Sequence, residues 1–448
     1  MRRKLLIAAA TIAVIGAGTY WFASRPDVAQ FSVAETSGVR PKLVDPRAQT
    51  IPTVKIADAV GWPAGAKPVA ATGLAVNAFA AGLDHPRWLY RLPNGDVLVA
   101  ESNSPPREQG GITNWVMKHL MARAGAGGAS ANRITLLRDA DGDGVAEARS
   151  VLLSADNGLD SPFGMVLVGD MLYVANHDAL IRFPYRPGVT KITGTGEKVV
   201  DLPGGGNHWT RDVIAGPEGK LLVSVGSASN IAEKGLEVEK NRATVLEVDP
   251  QAKRFRVYAG GLRNPVGLAL HPETQRLWTV VNERDMLGSD GPPDYLTQVT
   301  IGQFFGWPWN YWGGYVDKRV QPERPDLREY SARPSYSMGP HTAPLGLTFA
   351  SDVKLGEQFA EGAFVGLHGS WNRVPASGYK VVFVPFGARG LPVPDAKPID
   401  VLTGFLDAEG KAQGRPVGVT ADRTGALLVA DDVGNTIWRV SAAAPRAQ

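Results

Sequence analysis

A chain of 448 residues, 44% hydrophobic and 20% charged, holds enough apolar material for a large core, and its 52 glycines and 33 prolines call for many turns. Its formal charge of +3 is matched by Arg2, Arg3 and Lys4 alone, so the body is neutral overall and charge lends no support to binding a nucleic acid. The absence of cysteine excludes disulfides, thiolate metal sites, a cysteine nucleophile and a lipid-modified N-terminal cysteine.

The basic residues at 2–4 precede an uncharged stretch from Leu5 to Phe22, which is the pattern of an export signal and is just long enough to cross a bilayer. Gly16 and Gly18 suit cleavage, whereas Tyr20, Trp21 and Phe22 suit the interfacial belt of an uncleaved anchor. Residues 1–25 are therefore read as a signal peptide or inner-membrane anchor that places the body in the periplasm or another extracytoplasmic space. Residues 26–75, rich in Pro, Ala and Val with weak periodicity, are read as a linker and lead-in.

From there one phrase recurs: a proline, a short apolar strand, a turn and a second apolar strand. It runs from His85-Pro86 to Val99, then through Pro162-Phe163-Gly164 to Val174, Asp212 to Val223, and Pro265-Val266-Gly267 to Val280. Two more copies follow, Pro344-Leu345-Gly346 to Val365 and Pro416-Val417-Gly418 to Val429. A hairpin cannot bury both faces alone, so the copies must stack. Starts about 50 to 80 residues apart leave room for four strands each, which predicts an all-β, six-bladed β-propeller over 76–445. One amphipathic helix is expected, Asn114 to Ala124, in an insertion of the first blade.

Propeller function gathers on loops at one end of the channel, just before each recurrent strand pair. There Asn207-His208 follows Gly204-Gly205-Gly206, and a neutral imidazole is a natural general base unless the loop merely ties it down. Arg263-Asn264 holds the matching place before the fourth copy, as an anion clamp or a structural ion pair. His341, His368 and Arg415 repeat the phase, a convergence that suits an anionic ligand. Asn282-Glu283-Arg284-Asp285 offers hard oxygens of the kind calcium takes. Asp139 to Gly144 looks like a calcium loop, but its twelfth position is Ser150 rather than Glu, so an acidic hairpin turn is expected. The aromatic run Phe304 to Trp312 reads as core and loop packing.

Together, Asn207-His208, Gly261-Leu262-Arg263-Asn264-Pro265, Asn282 to Asp285, Phe305-Gly306-Trp307-Pro308 and Leu367-His368-Gly369-Ser370-Trp371-Asn372-Arg373 resemble the soluble sugar dehydrogenases that depend on pyrroloquinoline quinone (PQQ), in particular their L-sorbosone dehydrogenase branch. The resemblance implies PQQ at the channel mouth beside calcium, with His208 as base and Arg263 steadying charge on the reacting oxygen. It implies cofactor contacts from Arg263, Asn264 and Arg415, with His368 at a cofactor-binding position, and a metal segment at Arg284 and Asp285; Asn207 and His341 are further cofactor-binding candidates by their place in the loops. The expected substrate is an aldose or aldehyde. With no Cys-x-x-Cys-His for a haem, electrons would leave to a separate respiratory acceptor. Asn207 replaces an Asp of glucose-oxidising relatives, Gln413 replaces an arginine, and His368 falls where the family has lysine. A calcium-dependent lactonase and a non-catalytic sugar- or protein-binding propeller remain the alternatives.

Overall fold

The computed structural model describes residues 26–106 and 118–443. The apolar stretch from Leu5 to Phe22 lies outside them, as does the first part of the expected helix, of which residues 118–123 are helical. Among the described residues no helix is long and apolar enough to cross a membrane.

Six antiparallel four-stranded blades make the propeller. The first comprises Pro86–Arg91, Val97–Glu101, Arg133–Arg138 and Ala148–Leu153, and each recurrent phrase forms the first two strands of one blade. The last blade is closed by an N-terminal strand: Leu74–Ala81 pairs with Thr436–Ala442, so the two ends of the ring share one sheet. Valine, leucine and phenylalanine side chains between neighbouring blades form the core, with Leu98, Val174, Val223, Val280, Val365 and Val429 fully buried.

The glycine of the phrase has a packing reason. A Cβ at Gly267 would stand 2.6 Å from the Leu345 carbonyl, and one at Gly418 would stand 2.8 Å from the Arg87 carbonyl. Inner strands of adjacent blades thus touch backbone to backbone around the channel, which only glycine permits. Side chains lock the same junctions: Asp212 accepts the Leu268 N–H at 2.8 Å, Asp294 accepts the Ala343 N–H at 2.8 Å, and Asn282 donates to the Pro344 carbonyl at 2.7 Å.

Residues 26–75 are bound along their length rather than hanging as a linker. Ser37–Gly38 adds to the fourth blade and Val69–Ala70 to the fifth. Between them the strap crosses the loops of one end: Gln49 N–H donates to Met286, Lys55 to Trp371 and Val60 to Ala412. The acidic turn lies between Arg133–Arg138 and Ala148–Leu153, where the ligand atoms of Asp139, Asp141, Asp143 and Glu147 fall within 4.8 Å of one another. Ser150 sits apart from it on a strand, opposite Leu136.

Candidate active site

Because the first two strands of a blade run antiparallel, the residues before the first lie beside those after the second. That places His85, His208, Arg263, His341 and Arg415 at one end of the channel, next to Ser227, Glu283, Asp285, His368 and Asp432.

The His208 loop is drawn tight from within. Gly206 has φ +83° and a Cβ there would meet Ala228 Cα at 2.6 Å, so the chain can turn under Ala228 only as glycine. Fully buried Arg211 donates to the carbonyls of His208, Thr210 and Pro203 at 3.0, 2.7 and 2.6 Å, and burial pushes its guanidinium down to about 9. His208 Nδ1 lies 2.7 Å from the Ser227 carbonyl and 3.0 Å from Ser227 Oγ, whose own proton goes to the Ser229 carbonyl. Both oxygens accept, so Nδ1 carries the proton and Nε2 the lone pair, which is the tautomer a base needs. Gly226 separates His208 from Asn264, since a Cβ there would strike both His208 Cβ and Asn264 Oδ1. That Asn264 oxygen is buried and accepts no hydrogen bond among the described residues. Asn207 is exposed, with its backbone N–H on the Ala228 carbonyl.

Arg263 is buried in a cluster of acceptors. It donates to the Glu283 carbonyl at 2.6 Å, to Asn230 Oδ1 at 2.8 Å and to Asp285 Oδ2 at 2.8 Å. Asn372 donates to Asp285 Oδ1 at 2.8 Å, and His341 Nδ1 stands 3.9 Å from the same oxygen. His341 donates its Nε2–H to the Gly288 carbonyl at 2.9 Å, and burial lowers its affinity for a second proton. The Trp307 indole N–H donates to the Asn230 carbonyl at 2.9 Å, so the aromatic run braces this cluster.

A second cluster centres on Asp432. Its Oδ2 accepts from Arg87 and, at 2.9 Å, from His368 Nε2, with His85 Nε2 at 3.5 Å. Burial drives His368 down to about 4, so it is neutral and donates Nε2–H; burial also works against ionising Asp432, but the Arg87 charge and the His368 N–H outweigh it and keep the carboxylate ionised. Arg87 also lies over the Trp209 ring at 5.7 Å, joining this cluster to the residue beside His208. Arg415 donates to the Tyr379 hydroxyl at 3.0 Å and lies over its ring at 5.0 Å, with the strap carbonyl of Ala57 at 3.5 Å. The Nε–H groups of Arg87 and Arg415 and Asp432 Oδ1 are buried without partners among the described residues.

The site expected from sequence is therefore assembled at one face, but in two clusters and with changes of role. Arg284 faces inward, fully buried, donating to the Pro308 and Asn310 carbonyls at 2.6 Å each and pairing with Glu283 at 3.0 Å, so its side chain anchors the aromatic loop. The Asp285 carbonyl accepts from Asn230 at 3.2 Å and Arg319 at 3.0 Å, which sets N–H donors where a metal was expected. Asn230, Arg87 and Asp432 were missed. Asp432 was legible in principle, because it follows Leu427–Asp431 in the phase that Glu283 and His368 hold after their own strands.

A six-bladed ring whose mouth gathers His208 with buried arginines defines the class, a β-propeller with a candidate site at one end of its channel. The chain belongs to the TrAA12-like family, whose model matches residues 68–294 and 322–443. A PQQ-dependent pyranose dehydrogenase of Coprinopsis cinerea is 27% identical over 289 residues, covering 52% of this chain and 39% of that protein. An uncharacterized protein of Borreliella burgdorferi is 30% identical over 223 residues, covering 49% of this chain and 57% of the relative. The chain thus spans about half the length, or less, of these relatives. Among solved structures, the calcium structure of a Trichoderma reesei family AA12 enzyme matches with TM-score 0.67 and 20% identity over 87% of this chain and 99% of that one. The holo PQQ domain of the Coprinopsis cinerea pyranose dehydrogenase matches with TM-score 0.64 and 22% identity, over 84% and 97%. At these identities the structural likeness speaks for the fold.

Proposed function

We propose that this protein is a PQQ-dependent oxidoreductase that oxidises an aldose or an aldehyde of the sorbosone kind. It works outside the cytoplasm, where the Leu5–Phe22 stretch would direct it, and passes electrons to a separate respiratory acceptor. One observation carries the reading: the same mouth holds His208 with its lone pair on Nε2 and buried Arg415, which has no carboxylate partner among the described residues, beside Arg87 on Asp432, and the Nε–H of each arginine is unsatisfied among those residues. Buried unpaired donors of that kind call for an anionic partner, and the carboxylates of PQQ match them. Bound PQQ would supply a quinone able to take two electrons and a hydrogen from the substrate carbon.

The residues of the chain do the rest. His208 Nε2 takes the hydroxyl proton of the substrate, or that of a hydrated aldehyde, and the Ser227 carbonyl on Nδ1–H steadies the imidazolium that results. Asn264 Oδ1 offers a buried acceptor for a cofactor N–H. Arg263 would orient Asp285 and Asn230 and reach a developing negative charge by exchanging one of those bonds. Asn207, where glucose-oxidising relatives carry Asp, favours a substrate other than glucose. Calcium fits less well: the carbonyls of Glu283 and Asp285 already accept from Arg263, Asn230 and Arg319, and no step is assigned to the ion.

The test is reconstitution of purified protein with PQQ, followed by dye reduction with aldoses, simple aldehydes and sorbosone. PQQ-dependent turnover that collapses in His208→Ala supports the reading. Full turnover without PQQ, or none with PQQ bound, contradicts it.

A further inference from the structure

Beside the Asp432 cluster lies a cleft of about 700 Å³, within the size range of small-molecule sites. The strap at 59–61, the first-blade insertion at 125–129 and the last loop of the sixth blade form its walls, and it shares His85 and Asp432 with the second cluster of the site described above. Its polar lining is Asp84, His85, Asn103, Asp432 and Asn435.

The hydrogen-bonding capacity left over there is mixed. Asp432 is buried and ionised, and its Oδ1 has no partner among the described residues. Asn103 spends its side-chain oxygen on the N–H groups of Ser104 and Gly127, at 3.0 and 3.3 Å, and Asn435 spends its own on the His85 N–H at 3.0 Å. Neither amide NH₂ donates to a protein group among the described residues, so two donors stand near a lone acceptor. His85, neutral because burial lowers its proton affinity, can both give and accept. The two carboxylates, Asp84 and Asp432, line the cleft and among the described residues no lysine or arginine does, which disfavours an anion within it. The remaining wall is small and smooth, with glycines at 125, 127 and 128 beside Ala122, Ala126 and Val433.

Hydroxyl groups donate and accept at one atom, and a ring carrying several of them satisfies such a lining while laying its CH face on small apolar side chains. We propose that this cleft is a subsite for a neutral saccharide, with Asp432, Asn103, Asn435 and His85 as its hydrogen-bonding set. The inference rests on the sugar-oxidoreductase reading and deepens it: the substrate would be an oligosaccharide, or a sugar with a neutral polyhydroxylated arm, held at a distance from His208. Asp432 connects the two places, since it binds Arg87 and His368 of the candidate active site.

The experiment uses the full chain without cofactor, titrated with maltotriose and cellotriose by calorimetry and saturation-transfer NMR. Asn103→Asp and Asn435→Asp keep the oxygen that each loop uses and replace the free donor with a second acceptor. Asparagine and aspartate both tolerate the left-handed backbone of Asn435 at φ +52°, and Asn435→Gly serves if an added charge disturbs folding. Wild type is expected to bind one of the two trisaccharides, and each variant to lose affinity by about tenfold or more with an unchanged melting temperature. No binding of either by wild type, or equal binding by the variants, overturns the proposal. A parallel PQQ titration separates the two readings: PQQ bound without saccharide sinks the subsite alone, and saccharide bound without PQQ sinks the cofactor assignment alone.

Discussion

His208 and Arg415 show what a single position contributes and how far the chain itself announces it. The glycine run before His208 and the repeated phase of Arg415 marked both in the sequence. Ser227, which fixes the His208 tautomer, lies just past the hairpin that follows His208, but Arg415 reaches Tyr379 of the neighbouring blade, and beside it Asp432 gathers Arg87 from 345 residues away. Pairing of that kind depends on ring closure, which no local pattern encodes. Two substitutions separate the roles. His208→Gln should lower turnover by about 10²- to 10⁴-fold with PQQ affinity unchanged, measured by dye reduction and absorbance titration. Arg415→Gln should weaken PQQ binding by about 10- to 100-fold, the worth of a charge-assisted hydrogen bond at a buried site, and change turnover at saturating PQQ far less. Equal damage to both quantities by both substitutions would argue for general loss of structure instead.

At the scale of the element, the inner strands are held by carboxylates without counter-ions. Asp294 accepts the N–H groups of Glu283 and Ala343, each at 2.8 Å, and Asp212 accepts those of Val213 and Leu268, also at 2.8 Å. Burial outweighs those bonds and pushes both carboxyls up to about 7, against an ordinary 3.8. The folded chain then binds more protons than the unfolded one, so the stability they lend is full below pH 3.8 and is lost as pH rises through 7. Burial also shifts His85, His271, His341 and His368 downward from 6.5, and these oppose the trend until their unfolded imidazoles have lost their protons, about one unit above that value. The carboxyl contribution is therefore read as a difference: between pH 6.5 and 8 wild type should lose about 1 kcal/mol of stability relative to Asp294→Asn. Urea midpoints of the two proteins should converge or cross in that sense across the window; a difference that does not change with pH would contradict the assignment. The strap shows why other elements escaped the sequence. Its ties at Gln49, Lys55 and Val60 are backbone N–H bonds to loop carbonyls, which any residue but proline can make.

For the molecule as a whole, the recurring phrase was legible because inner strands meet backbone to backbone and repeat glycine in four of the six copies, at Gly164, Gly267, Gly346 and Gly418. Outer strands such as Glu197–Asp201 and Arg254–Gly260 are polar and partly exposed, so their pattern is faint. The closing strand Leu74–Ala81 is Ala-rich and was placed only in part within the propeller, yet it seals the ring against Thr436–Ala442. A chain begun at residue 83 should lose its single cooperative unfolding transition, because it leaves the edge of Thr436–Ala442 unpaired. Retention of that transition would show that closure is dispensable. The central claim is that this ring carries a site for an anionic quinone. It is tested most directly by titrating the apo protein with PQQ at micromolar concentration and following the quinone absorbance. The account predicts saturation at one PQQ per chain, weakened in Arg415→Gln and preserved in His208→Gln. An absorbance that stays that of free PQQ throughout would contradict it.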